Sequence, residues 1–184
     1  MRLLIVTQAV DRNDPVLGFF HRWVEEIAAH VESIHLICLK EGTHSLPANV
    51  TVHSLGKESG SSRIKYVTRF YSYIWKFRGE YDSVFVHMNQ EYVLLGGLLW
   101  RALGKKVVLW RNHKKGTALT TIACAIAHTV CYTSDASYVA RARNGVLMPI
   151  GIDTDEFTPH EAPKPHSVLF LGRLDPVKNV HVFV

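Results

Sequence analysis

Short apolar runs recur along the chain, each closing on a polar or glycine-bearing turn, with amphipathic stretches between them. Leu3–Thr7 is the first, continuous enough for a strand buried on both faces of a sheet. After the loop Gln8–Leu17, Gly18 opens a stretch in which Phe19, Trp23, Ile27 and Val31 recur at roughly helical spacing. Further strands are predicted at Ser33–Leu39, Val50–Leu55, Tyr81–His87, Lys106–Trp110, His128–Thr133 and Gly145–Ile150. Helices are predicted over Arg63–Arg78, from a small-residue start at Gly96 and Gly97, over Thr120–Ala127, and from a cap at Ser134 with Asp135 in its first turn. Strands alternating with helices describe an α/β fold, a Rossmann-like doubly wound parallel sheet. No Gly-x-Gly-x-x-Gly follows the first strand, which argues against an ordinary dinucleotide site.

Polar side chains gather where open α/β sheets place ligands, at the carboxyl ends of strands. His87, Asn89 and Gln90 follow the fourth predicted strand, and Arg111, Asn112, His113 and Lys114 follow the fifth. A histidine that ends a strand is also often a satisfied structural residue, so His87 is the weaker of the two histidines. On the helix Arg63–Arg78, Lys65, Arg69 and Lys76 fall in one narrow stripe opposite a broad apolar arc of Ile64, Val67, Phe70, Tyr71, Ile74 and Phe77. That pattern suits an anionic membrane surface and equally a core-facing helix with a solvated basic edge.

The far end carries the most specific pattern. Pro149-Ile-Gly-Ile-Asp-Thr-Asp-Glu-Phe157 leads into a proline-rich stretch, then into Ser167-Val-Leu-Phe-Leu-Gly-Arg-Leu-Asp-Pro-Val-Lys-Asn179. Arg173 and Lys178 after a strand-length run and Gly172 are spaced to reach one pyrophosphate, although Gly-Arg-x-x-x-x-Lys alone also describes a basic turn. Taken together, the two segments resemble the interdomain crossing of GT-B glycosyltransferases, in their large retaining family.

The resemblance implies an amino-terminal, acceptor-side domain over residues 1–158, a linker over 159–166, and the first strand and loop of a donor-binding domain over 167–184. In that reading the second Rossmann domain is only begun and the chain is truncated within it. It implies sugar transfer, with retention, from a nucleotide-diphosphate sugar to a sugar, lipid or phosphate-bearing acceptor. Arg173 and Lys178 match the residues that hold the donor diphosphate. Gly18 matches one member of the glycine pair near the same phosphates, with Leu17 at the other, and reads otherwise as a turn residue. His113 matches a histidine beside the transfer site. The next position in relatives is small and hydroxylated, and Lys114 there suggests an anionic acceptor. With the donor motif missing, the fragment is expected to be inactive alone. The alternative is a non-catalytic membrane-docking or acceptor-binding module that pairs with a separate donor domain.

Composition narrows this further. The chain has 184 residues, 47% hydrophobic and 20% charged, which suits one domain with a sizeable core. A net charge of +5 permits an anionic partner. Nucleic acid is disfavoured, because the aromatic residues of the basic helix lie in its apolar arc instead of beside the cations. The first residues lack a signal-peptide pattern, and no apolar run reaches the length of a membrane span. Cys38, Cys124 and Cys131 form no CxxC pair and read as reduced thiols in a cytoplasmic protein, possible attachment at the inner face of the membrane included. None of the eleven histidines has metal-ligand spacing, so neither a metal nor another cofactor is expected.

Overall fold

A computed structural model describes residues 1–151, 154, 158, 164–170, 172 and 179–182. The chain divides into two compact units, Met1–Pro149 and Ile150–Val184.

The first unit is built on seven strands: β1 (Arg2–Val10), β2 (Ser33–Glu41), β3 (Val50–Ser54), β4 (Ser83–His87), β5 (Lys106–Trp110), β6 (Thr129–Tyr132) and β7 (Gly145–Leu147). They form one sheet in the order β3-β2-β1-β4-β5-β6-β7, and every pairing is parallel. Four helices cover it: α1 (Phe19–Ala28), α2 (Arg63–Lys76), α3 (Gln90–Ala102) and α4 (Ala118–Ile126). This is the doubly wound α/β fold expected from the alternation.

Successive side chains of a strand point to opposite faces, so each inner strand feeds two cores. Leu4 and Val6 of β1, Val84 and Val86 of β4, and Val107 and Leu109 of β5 pack with Phe70 and Ile74 of α2, Trp100 of α3 and Ala123 of α4. Leu3 and Ile5 instead join Ile34 and Leu36 of β2 against Phe20, Val24 and Ala28 of α1. β1 runs three residues beyond the predicted Thr7, because Ala9 and Val10 still have partners in Lys40 and Glu41 of β2. All three cysteines are buried as free thiols.

Three local expectations are corrected. α3 starts at Gln90, and Gly96 and Gly97 sit in its middle. A Cβ on Gly97 would lie 2.4 Å from Ile126 Cγ2, so that glycine permits close approach of α4 instead of opening a helix. The helix expected from Ser134 reduces to a 3-10 turn, Tyr138–Arg141. Tyr138 N donates to His113 O (3.0 Å), and Ser137 Oγ reaches the carbonyl of His113 at 3.4 Å. Those bonds hold the segment to the β5 loop and compete with an α-helical start. In the second unit, Val168–Phe170 show no strand pairing where a strand was predicted. Leu171, Arg173 and Lys178 lie outside the described residues.

Candidate functional site

The strand order reverses between β1 and β4: the chain winds outward to β3 on one side, then returns to β4 on the other. Loops leaving two such strands diverge, and the gap between them is the usual ligand position in open α/β sheets. A cleft of about 640 Å³ occupies it. Gln8 comes from β1, Leu17 from the β1–α1 loop, Lys40 from β2, Lys57 from beyond β3, and His87 and Asn89 from the end of β4.

His87 is the buried member of the group, with 1% of its surface exposed. Its ring stacks on Phe20 at 3.8 Å between centroids, and Nδ1 lies 3.1 Å from Thr7 Oγ1. Burial among aromatic rings pushes its pKa down to about 4, so the imidazole is neutral at pH 7. Nε2 is buried and has no hydrogen-bond partner among the described residues. Met88 follows with a φ of 66°, an uncommon conformation for a side-chain-bearing residue. It is held on both sides: its N–H donates to Trp110 O (2.7 Å), and its carbonyl accepts from Arg111 Nη1 (3.2 Å). Asn89 Nδ2 donates to Gln8 Oε1, closing β1 onto β4. Gln90 is buried at the start of α3, and its Oε1 also lacks a partner.

The β1–α1 loop is organised by Asp14. Its carboxylate accepts the backbone N–H groups of Val16 (2.9 Å) and Leu17 (2.8 Å), and these bonds hold its pKa below the usual value. The N–H of Gly18 donates to Asp14 O at 2.9 Å. A Cβ on Gly18 would stand 2.7 Å from Asp14 O and 3.0 Å from Arg12 O, so this tight turn requires glycine. The three amides an anion would use here are therefore already committed within the loop.

The β5 loop forms a second group beside the first. Arg111 bridges them through Met88 O, while its Nε is buried without a partner. His113 is exposed, with Nδ1 within 3.0 Å of the Lys115 backbone, and does not line the cleft. Lys114 is exposed and Asn112 half-buried. Thus His87 and Asn89 line the cleft, Arg111 is tied to them only through Met88 O, and Gln90 is buried at the start of α3 outside the lining. Asn112, His113 and Lys114 follow Arg111 in the β5 loop, and Arg173 and Lys178 fall outside the described residues. Gln8, Lys40 and Lys57 escaped the sequence reading. The rule that flagged β4 and β5 would have found them at the ends of β1, β2 and β3.

On α2 the expected stripe is split. Lys65 and Lys76 are exposed, but Arg69 Nη1 donates to Leu55 O at 2.9 Å. The guanidinium lies over Gly56, whose φ of 93° favours glycine. The apolar arc is split too. Phe70, Ile74 and Phe77 enter the core, whereas Ile64 (77% exposed), Val67, Tyr71 and Trp75 (53%) face solvent. Among the described residues no helix is long and apolar enough to cross a membrane, and no group of three His, Cys, Asp or Glu side chains is arranged to hold a metal ion.

Comparison with known proteins adds a family match and two structural likenesses. The model of a family described as "Glycosyl transferase 4-like" matches residues 14–123. No curated protein matches the chain significantly in sequence. Acinetobacter baumannii MurG is similar with a TM-score of 0.56 and 12% identity, over 89% of this chain and 50% of that one. UDP-GlcNAc 2-epimerase from Methanocaldococcus jannaschii is similar with a TM-score of 0.46 and 12% identity, over 74% of this chain and 40% of that one. The chain spans half the length of the MurG structure, and the likeness to it is one of fold.

Proposed function

The chain belongs to the glycosyl transferase 4-like family and has the Rossmann-like sheet of a GT-B amino-terminal domain; on that premise we propose that it is the acceptor-binding part of a glycosyltransferase. The donor is a nucleotide-diphosphate sugar, transfer proceeds with retention, and no metal takes part. The observation that carries this reading is a run of buried polar atoms without partners after β4 and β5, His87 Nε2 in the cleft lining and Gln90 Oε1 and Arg111 Nε behind it, apart from Trp100 Nε1 in the core. Buried polar groups are nearly always paired, so such a set is suited to the hydroxyls of a bound sugar. Arg173 and Lys178 supply positive charge to the departing diphosphate, a role that magnesium fills in other transferases. His113, on the rim of the same edge, stands beside the transferred sugar. An acceptor hydroxyl held in the cleft then attacks from the leaving-group face.

The residues assigned here hold their ligands before any transfer occurs. Binding therefore tests it better than turnover. Calorimetric titration with UDP and GDP is expected to show binding that Arg173→Ala and Lys178→Ala each abolish. Nucleotide binding that survives both substitutions would sink the assignment of the donor residues.

A second reading is a non-catalytic module that docks on the cytoplasmic face of an anionic membrane and pairs with a separate donor domain. One observation favours it: Ile64, Val67, Tyr71 and Trp75 make an exposed apolar line along α2, with Arg63 and Lys65 near its start and Arg78 over the Trp75 ring at 4.5 Å.

A further inference from the structure

Two ammonium groups of the cleft have no role in the fold. Lys40 is the exposed position of β2, next to its last residue, and Lys57 follows β3; their backbones run side by side, since Lys57 N–H donates to Leu39 O at 3.0 Å. Both side chains line the cleft, both are exposed, and among the described residues neither has a hydrogen bond or ion pair. Two carboxylates, Asp14 and Glu58, share the cleft lining, and each is hydrogen-bonded to groups other than the lysines. Glu58 accepts from Ser54 Oγ (2.7 Å) and Glu41 N (3.2 Å), and Glu41 Oε1 pairs with His44 Nε2 (3.0 Å). Asp14 is turned onto its own loop amides, where the charge of Lys40 acts on it only at a distance. The wall opposite the lysines carries His87, whose Nε2 is buried and unpartnered. When Thr7 Oγ1 donates to Nδ1, the ring proton sits on Nε2 and makes it a neutral donor.

We propose that this cleft binds a phosphoryl group of the acceptor, with Lys40 and Lys57 taking its charge and His87 Nε2 donating to an oxygen beside it. The proposal rests on the acceptor-side reading above and narrows the acceptor to a phosphorylated class. Two free point charges and one neutral donor, converging from different strands, suit a tetrahedral oxyanion. A flat carboxylate is better matched by the planar fork of an arginine, which this wall lacks. Val16 and Phe19 leave apolar surface exposed beside the cleft, so the phosphate could arrive on a sugar or on an alkyl chain.

The full chain, labelled with nitrogen-15, would be titrated with glucose 6-phosphate, with monomeric hexyl phosphate, and with glucose and glucuronate as controls. Saturable shifts of the Gln8, Lys57 and Asn89 amides are expected with a phosphate, and weak or no shifts with either control. Tighter binding of glucose 6-phosphate or of hexyl phosphate tells a sugar carrier from a lipid-like one. Lys40→Gln and Lys57→Gln should each weaken phosphate binding roughly fivefold to tenfold, the loss of one charge-assisted bond. Both lysines are exposed, so the thermal midpoint should not move. The inference is overturned if no phosphate binds, if glucuronate binds as well as the phosphates, or if neither lysine substitution weakens them. It is also overturned if those substitutions reduce UDP or GDP affinity, which would move the cations to the donor side. Nucleotide binding through Arg173 and Lys178 is read separately, so failure of the transferase reading and failure of the phosphate site are distinguishable.

Discussion

Two histidines of this chain, one buried and one half-buried, are held as neutral rings for different reasons. His87 owes its low pKa, about 4, to burial alone. His53, also near 4, is lowered first by burial and then by the charges of His35, whose Nδ1 lies 3.0 Å away, and Lys76. Glu41 and Glu80 act on it in the opposite direction; Glu80 meets His35 Nε2 at 3.1 Å. In the unfolded chain a histidine titrates near 6.5. Between pH 6.5 and 4 the unfolded state therefore binds protons that the native state refuses. The associated stability is complete above pH 6.5, erodes as the pH falls, and is gone below 4. For His87 it is on the order of 3 kcal/mol. Urea midpoints measured across this window should fall with pH in the native chain and less steeply in His87→Gln, where His53 still contributes. The variant should also lose some stability at pH 7, where its stacking on Phe20 is missed. An unchanged slope would remove His87 from the account. A strand-end histidine was legible in the sequence; the Phe20 ring that makes it neutral was not, because Phe20 arrives from α1 across the sheet.

Elements are joined in this fold by asparagines that the sequence presents only as turn residues. Asn49, just before β3, donates through Nδ2 to Ala28 O and Val31 O, closing the carboxyl end of α1. Asn144, just before β7, does the same for α4 through Cys124 O and Ala127 O. The last carbonyls of a helix have no partner within it, so each amide both caps a helix and pins an edge strand. Asn144→Ala and Asn49→Ala are each expected to cost about 1–3 kcal/mol in equilibrium urea unfolding, the usual loss when bonded carbonyls are left bare. A cost under about 0.5 kcal/mol would mean that water replaces the amide without loss. The elements themselves were mostly readable, since parallel strands buried on both faces leave unbroken apolar runs. The segment after Ser134 was not. Its sequence permits a helix, and its bonds to the His113 carbonyl decide against one.

For the molecule as a whole, charge and exposed apolar surface bear on where it works. The net charge is +5, and α2 offers Ile64, Val67, Tyr71 and Trp75 to solvent between basic residues. Cosedimentation with vesicles of phosphatidylcholine and phosphatidylglycerol should retain the chain, and added salt or Ile64→Ser with Trp75→Ser should release it. Retention untouched by that double substitution would exclude α2 as the contact. The sequence by itself determined the α/β alternation, the parallel sheet and the strand ends that carry polar groups, because apolar period and turn residues are local properties of the chain. Only the tertiary structure decided which strand ends share a cleft. The order β3-β2-β1-β4 brings Lys40 and Lys57 opposite His87, residues separated by up to 47 positions along the chain. The same packing turned half of the apolar arc of α2 outward and drew Arg69 to the Leu55 carbonyl. Neighbours of that kind are set by how helices and strands are stacked, which no local pattern of residues records.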